Sequence, residues 1–238
     1  MHVTLKKIGL VIGIMTIPAT SLAGTENSGF DLSANVAMTS DYVWRGVSQT
    51  SEGPAIQGGF DLSHKSGVYL GTWGSNINFG DSQMELDIYG GYATEFGNGL
   101  GVDVGFIQYY YPGGLSTNEY DFTELYLGLS YSVAGVGLGA KYSYSPDFGA
   151  TVPDETAQYI EAGIDYTMGP VTAAAHVGYS FGDAFTTPDS YTDYSVGLST
   201  EQMGFGFDLS YYGTNDDGET LFNDSAEGRV VFSVSKSM

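Results

Sequence analysis

The chain has 238 residues, room for one large all-β domain without a second core, and sets 28 Asp and Glu against seven Lys and Arg. Its formal charge of −21 excludes nucleic acid as a partner and disfavours anionic membrane surfaces, while the lack of cysteine excludes disulfides and thiolate metal sites. Thirty-five glycines, about twice the usual share, and nineteen tyrosines disfavour helix and suit strands.

Lys6 and Lys7 precede the apolar run Ile8–Ile17, and Ser21-Leu22-Ala23 offers small residues for cleavage. Residues 1–23 are therefore expected to be a secretory signal peptide, too short to span a membrane as a helix. Cutting after Ala23 leaves 215 residues with five bases (Arg45, Lys65, Lys141, Arg229, Lys236) against 28 acids, a net −23. No later segment is apolar for long enough to be a transmembrane helix. Residues 24–29 read as a polar leader and 30–238 as one β domain.

Twelve segments then alternate in character with period two, the signature of strands whose faces meet different surroundings. The first runs Phe30–Gln49, with a bend or hidden turn near Thr39–Asp41. Ala55–Ser63 and Val68–Asn78 follow, then Met84–Glu95, where Met84, Leu86, Ile88 and Tyr92 oppose Glu85, Asp87 and Tyr89. In Leu100–Tyr111, Val102, Val104 and Phe106 oppose Asp103 and Gly105. The next pair set Leu125, Leu127 and Leu129 against Glu124, and Leu138 and Tyr142 against Lys141. Further on, Ile160 and Ile164 oppose Glu161 and Asp165, Val177 and Tyr179 oppose His176, and Val196 and Leu198 oppose Asp193 and Ser195. Phe207 and Leu209 oppose Asp208, and Val230–Met238 closes the chain. Tight connections (His64–Gly67, Gly97–Gly99, Ala134-Gly135, Gly169-Pro170, Gln202–Gly204) alternate with longer ones rich in Asp, Gly, Pro and Thr, notably Ser145–Glu155 and Asn215–Gly228.

A soluble sandwich or lipocalin-like barrel alternates too, with its apolar face inward. Here the polar faces are rich in glycine, which suits a crowded interior rather than a solvated surface. The segments are about ten residues long, the span of a tilted transmembrane strand, whereas soluble strands average about five or six. Aromatic residues fall near strand ends (Tyr42, Trp44, Tyr69, Trp73, Tyr92, Tyr109, Tyr110, Tyr111, Tyr142, Tyr144, Tyr211), where headgroup girdles are expected. A closed barrel is needed because lipid satisfies no edge amide. The expected fold is all-β: a single antiparallel transmembrane β-barrel of about twelve strands, with short periplasmic turns and longer extracellular loops.

The stretches NVAMTSDYVWRGVSQT, PAIQGGFDLSH, GVYLGTWGSN, TELYLGLSY and RVVFSVSK resemble the TorF family of porins over nearly all of the exported chain, most specifically in Asn35–Asn76. The resemblance implies an outer-membrane barrel with a channel role in a Gram-negative bacterium; it implies no substrate and no catalytic residues. One departure is the final Met238, where barrels of this class commonly end in an aromatic residue that the insertion machinery reads. Phe232 and Val234 keep the alternation, so assembly is expected to survive.

The lumen-facing, pore-lining candidates are Glu85, Asp87, Asp103, Glu124, Glu161, Asp165, Asp193 and Asp208, with Arg45, Lys141, His176 and Arg229. They fit either a cation-preferring filter or an ion-paired plug. Lys141 near Glu124 and Glu161 is the expected ion-pair cluster. A lipid-acting barrel hydrolase is the third reading, but His64 falls in a tight turn, and His176 has no serine in a nucleophile motif, Ser180 and Ser195 being ordinary strand serines. The loop Asn215–Glu219 with Asn223 and Asp224 clusters oxygens, yet its spacing fails the calcium-loop pattern. No cofactor or metal site is expected. The expected function is passive diffusion of small solutes or ions, cation-leaning, with lipid, lipopolysaccharide and the barrel-assembly machinery as partners.

Overall fold

The computed structural model of the chain describes residues 29–113, 120–149 and 155–238. The expected signal peptide and all but the last residue of the polar leader lie outside the described residues. Fourteen strands and one short helix run in the order β1 (Phe30–Thr39), β2 (Val43–Trp44), β3 (Val47–Ser48), β4 (Ala55–His64), β5 (Val68–Phe79), β6 (Ser82–Glu95) and β7 (Leu100–Tyr110). Then come β8 (Phe122–Val133), β9 (Val136–Ser145), β10 (Ala157–Met168), β11 (Val171–Phe181), β12 (Ser190–Gln202), β13 (Phe205–Thr214), α1 (Asp216–Phe222) and β14 (Arg229–Ser237). Twelve of the strands form one closed antiparallel barrel in which each pairs with its neighbours in sequence; β2 and β3 pair only with each other.

Closure is made by β1 and β14, from Asn35 opposite Ser237 to Thr39 opposite Ser233. It continues past the strand end, where Ala34 and Met238 exchange backbone bonds at 3.0 and 2.9 Å. No edge is left to offer unpaired amides to hydrocarbon.

Alternation decides what each strand shows. Leu127 (48 % exposed), Val196 (55 %), Met38, Ile56, Val104, Ile160, Leu209 and Phe232 all point outward, forming an apolar exterior around the barrel. Buried polar side chains, among them Glu85, Asp87, Glu124, Glu161, Asp193 and Ser143, point in. This is the reverse of a soluble barrel and the polarity a lipid surround requires. Where polar groups do face outward near the long-loop rim they pair with one another, as Gln108 with Thr123 and Tyr142 with Gln158.

Two tight turns on the short-turn rim, Ala134-Gly135 and Met203-Gly204, have positive φ at both residues (51° and 83°, 53° and 75°). That conformation matches the right-handed strand twist and fixes register in a two-residue loop.

Three expected connections come out differently. The long first segment ends at Thr39, and its second half becomes the small hairpin β2–β3. The longer connection expected between Val68–Asn78 and Met84–Glu95 shrinks to a tight turn at Gly80-Asp81, because β5 runs on to Phe79 and β6 starts at Ser82, with a register shift between Asn76 and Phe79. Asn215–Gly228 contains helix α1 and a 3₁₀ turn, Asn223–Ala226. Asn215 caps the helix by accepting from the Gly218 amide at 3.3 Å, and Asp216, Asp217 and Glu219 occupy its first turn. The acidic cluster thus faces the positive end of the helix dipole, and that explains its composition without an ion.

Candidate functional site: the lumen and its in-folded hairpin

The hairpin β2–β3 turns through Arg45-Gly46, both at positive φ (48° and 80°), so the chain doubles back within two residues. It folds into the barrel mouth and touches several walls. Val47 packs with Tyr191 and Ala226, backed by Phe185, Leu221 and Phe222 of the loops. Trp44 packs on the opposite cluster of Ile107, Tyr109 and Phe122, and its ring lies 6.4 Å from that of Phe148 with a 12° tilt. At Gly46 an added Cβ would lie 2.6 Å from Thr214 Cγ2 and 2.8 Å from Asp193 Cβ, so only glycine fits against that wall.

Asp41 holds the hairpin's base. Its Oδ1 accepts from Ser48 and Thr50 at 2.7 Å each, and its Oδ2 accepts from Arg229 at 3.1 Å. Arg45 holds the tip. Its guanidinium donates to Glu124 Oε1 at 2.6 Å and lies 4.2 Å from the Trp44 ring and 4.1 Å from the Tyr159 ring. Arg45 and Glu124 are 8 % and 3 % exposed, so this pair acts in a low dielectric.

A second network lies on β9–β12. Lys141 Nζ is 2.8 Å from Glu161 Oε1, its cross-strand neighbour, and His176 Nε2 is 3.0 Å from Glu161 Oε2. The other ring nitrogen of His176 is 3.6 Å from Asp193 Oδ1, which also accepts from Tyr159 at 3.1 Å. Tyr159 joins the two networks, since its face carries Arg45. The ring of His176 is thus held between carboxylates, and among the described hydrogen bonds none links it to a serine.

The third group is Glu85 and Asp87, both inward on β6. Tyr42 donates to Glu85 Oε1 at 2.7 Å, and Tyr111 also bonds Glu85. Burial raises the Tyr42 hydroxyl far above the ordinary phenol range, with the charge of Glu85 adding to it, so Tyr42 stays a donor. Asp87 faces Trp73 on β5 and Tyr109 on β7 by strand register.

The remaining candidates stand apart. Asp103 accepts from Tyr69 at 2.7 Å, and Tyr69 also meets Tyr126. Asp208 accepts from Ser210 at 2.7 Å, and Asp165 lies lower on the β10 wall against Gly137. Arg229 belongs to the rim with Asp41 rather than to the mid-lumen. The expected cluster of Lys141 with both Glu124 and Glu161 is half right: Glu124 lies two inward positions up β8 from the Lys141 level and pairs with Arg45 instead.

The aromatic girdle needs a larger correction. Tyr92, Tyr110, Tyr142 and Tyr211 do face outward. Tyr42, Trp44, Tyr69, Trp73, Tyr109 and Tyr111 are lumen residues, joined there by Tyr89, Tyr126 and Tyr159. Inner glycines make room for these rings: a Cβ at Gly71 would strike the Tyr89 ring at 2.3 Å, and one at Gly178 the Tyr159 hydroxyl at 2.0 Å. Asp41 as the organiser of the hairpin base was also missed; the signal for the hairpin was Arg45-Gly46 between the strand formers Trp44 and Val47.

A closed twelve-stranded barrel, apolar outside and charged within, has the architecture of the porins. Among solved structures, the fold is similar to that of the NanC porin (TM-score 0.57, 12 % identity), covering 86 % of this chain and 97 % of that one. It is similar also to the KdgM porin in complex with disordered oligogalacturonate (TM-score 0.56, 12 % identity, 87 % and 98 % covered). The chain belongs to the family described as bacterial protein of unknown function, Gcw_chp, which matches residues 23–238. No curated protein matches the sequence.

Proposed function

We propose that this protein is an outer-membrane channel of a Gram-negative bacterium, passing small solutes or ions by passive diffusion and favouring cations. The inner wall of a closed barrel supports this reading. It carries Asp61, Glu85, Asp87, Asp103, Glu124, Glu161, Asp165, Asp193 and Asp208, against Lys141, the in-folded Arg45 and His176. Fixed negative charge in a narrow, poorly screened lumen enriches cations and repels anions. An oligogalacturonate is a string of carboxylates, so the ligand of the KdgM structure does not carry over to this acidic wall. The hairpin β2–β3 is the constriction that sets the size limit.

The resemblance to the TorF porins belongs to the same proposal. So do export by a signal peptide cleaved after Ala23, assembly by the barrel-insertion machinery, contact with lipopolysaccharide, and the absence of hydrolase activity. A second reading, a plugged barrel with a surface role, is favoured by the Arg45–Glu124 pair and the aromatic packing of Trp44, which draw the hairpin across the mouth.

The test is single-channel recording of the refolded protein in a planar bilayer under a KCl gradient. Discrete openings with a cation-selective reversal potential are expected. Stable insertion without conductance overturns the channel in favour of the plug.

A further inference from the structure

Every base after the leader has a place. Arg45 is on Glu124, Lys141 on Glu161, and Arg229 on Asp41 and Glu52. Lys236 donates to the Gly204 carbonyl at the short-turn rim, Lys65 lies in the tight turn after β4, and His176 sits between Glu161 and Asp193. Of the buried acids, Glu85 and Asp87 are left: 2 % and 7 % exposed, on the same face of β6, and without an ion pair to any described residue. Asp87 Oδ1 is also buried with no hydrogen-bond partner in the described structure. Two neighbouring buried carboxyls without a counter-charge are costly as a charged pair, and either a proton or a cation relieves them; the orphaned Asp87 Oδ1 leaves an acceptor free for the cation.

The surroundings narrow the kind of cation. Trp73 and Tyr109 flank Asp87 on the neighbouring strands, Tyr111 flanks Glu85, and Tyr42 of the hairpin bonds Glu85 while its ring lies 5.4 Å from Trp73. Aromatic faces attract a guanidinium, which is planar and weakly hydrated, better than a strongly hydrated ammonium or metal ion. Among the described residues, no three His, Asp or Glu are grouped as a metal site. The protein already fills one site of this kind with its own side chain: Arg45 places a guanidinium on Glu124 between the rings of Trp44 and Tyr159.

We propose that Glu85 and Asp87, walled by Trp73, Tyr109 and Tyr111 and roofed by Tyr42, bind the guanidinium group of a small solute. The proposal rests on the channel reading for its purpose, because it makes organic cations the preferred cargo, but the binding itself is testable without transport. Tyr42 lies in the hairpin, so the occupant sits directly beside the constriction and Arg45 serves as its neighbouring rival for carboxylate.

The experiment titrates the full-length barrel, refolded in detergent at constant ionic strength, with methylguanidinium chloride and separately with N-methylurea, its neutral isostere. Saturable heat from methylguanidinium and none from N-methylurea is expected. Asp87→Asn and Glu85→Gln should each weaken binding about tenfold or more, as loss of a charge-assisted hydrogen bond implies, while Glu201→Gln at the short-turn rim leaves it unchanged. Absence of saturable binding by wild type, equal response to the urea, or unchanged affinity in Asp87→Asn overturns the site. Should Glu85→Gln fail to fold, the comparison of the two ligands on wild type still decides. Conductance without methylguanidinium binding removes this site and leaves the channel standing; binding without conductance does the opposite.

Discussion

Arg229 Nη1 donates to Asp41 Oδ2 at 3.1 Å, joining the last strand to the segment just after the first across 188 positions of sequence. The bond sits where β1 and β14 close the sheet, so one contact ties the barrel seam to the hairpin that narrows the lumen. Asp41→Asn should weaken it by about 1.5–3 kcal/mol, the usual range for a hydrogen bond to a charged group. The checks are a lower urea midpoint and faster proteolysis within residues 40–54 of the folded protein.

Arg45→Ala removes the tip anchor and leaves Glu124 buried and unpaired, at a cost of about 3–5 kcal/mol. The variant should also conduct more, since the hairpin loses its hold on the β8 and β10 walls. Adding Glu124→Gln should recover part of the stability but none of the constriction. Unfolding curves and single-channel amplitudes separate the two effects.

Arg substituted at Leu127 or Val196, both on the outer face, should cost about 2–4 kcal/mol when placed against mid-bilayer lipid. Arg at the inward Ser130 or Ser195 should cost less. Equal losses at the four positions, read by refolding into vesicles, would reject the facing of β8 and β12.

The two acid groups should differ in their grip on ions. Glu161 is matched by Lys141 and His176, whereas Asp87 has no basic neighbour among the described residues. Asp87→Asn should therefore shift the reversal potential toward anions more than Glu161→Gln does. The reverse order would mean that the β9–β11 network, not the β6 pair, sets selectivity.

At Gly178 a methyl group would meet the Tyr159 hydroxyl at 2.0 Å and Asp193 Oδ2 at 2.6 Å, while at Gly128 the nearest atom is an ordinary 3.7 Å away. Gly178→Ala should push Tyr159 out from beneath Arg45 and make the channel noisier, and Gly128→Ala should be silent. Current traces of the two variants side by side check this.

The barrel was legible in the sequence because one simple regularity, alternation, carries it. Leu127 and Val196 announce an outer face and Glu124 and Asp193 an inner one without any tertiary information. The same regularity hid the hairpin: Val43-Trp44 and Val47-Ser48 alternate as a transmembrane strand would, and only the turn at Arg45-Gly46 distinguishes them. Aromatic type was a poor guide to facing, since tyrosine serves a headgroup belt and a hydrogen-bonded lumen equally well. Strand parity was the better one, because Tyr69, Gly71 and Trp73 share the face of Ser75, not that of Leu70. Helix α1 was obscured by Gly218 in its first turn, although Asn215 and the acids after it are ordinary start signals. The pairing of Glu124 with Arg45 depends on a fold-back that no periodicity encodes.

The hairpin is made early in the chain, yet the groups that seat it arrive late: Glu124 on β8, Tyr159 on β10, Thr214 at the end of β13 and Arg229 on β14. Until β8 and β10 are in place Arg45 lacks Glu124 and the ring of Tyr159, and until β14 is in place Asp41 lacks Arg229. The seated hairpin is therefore a property of the whole closed sheet rather than of its own short segment.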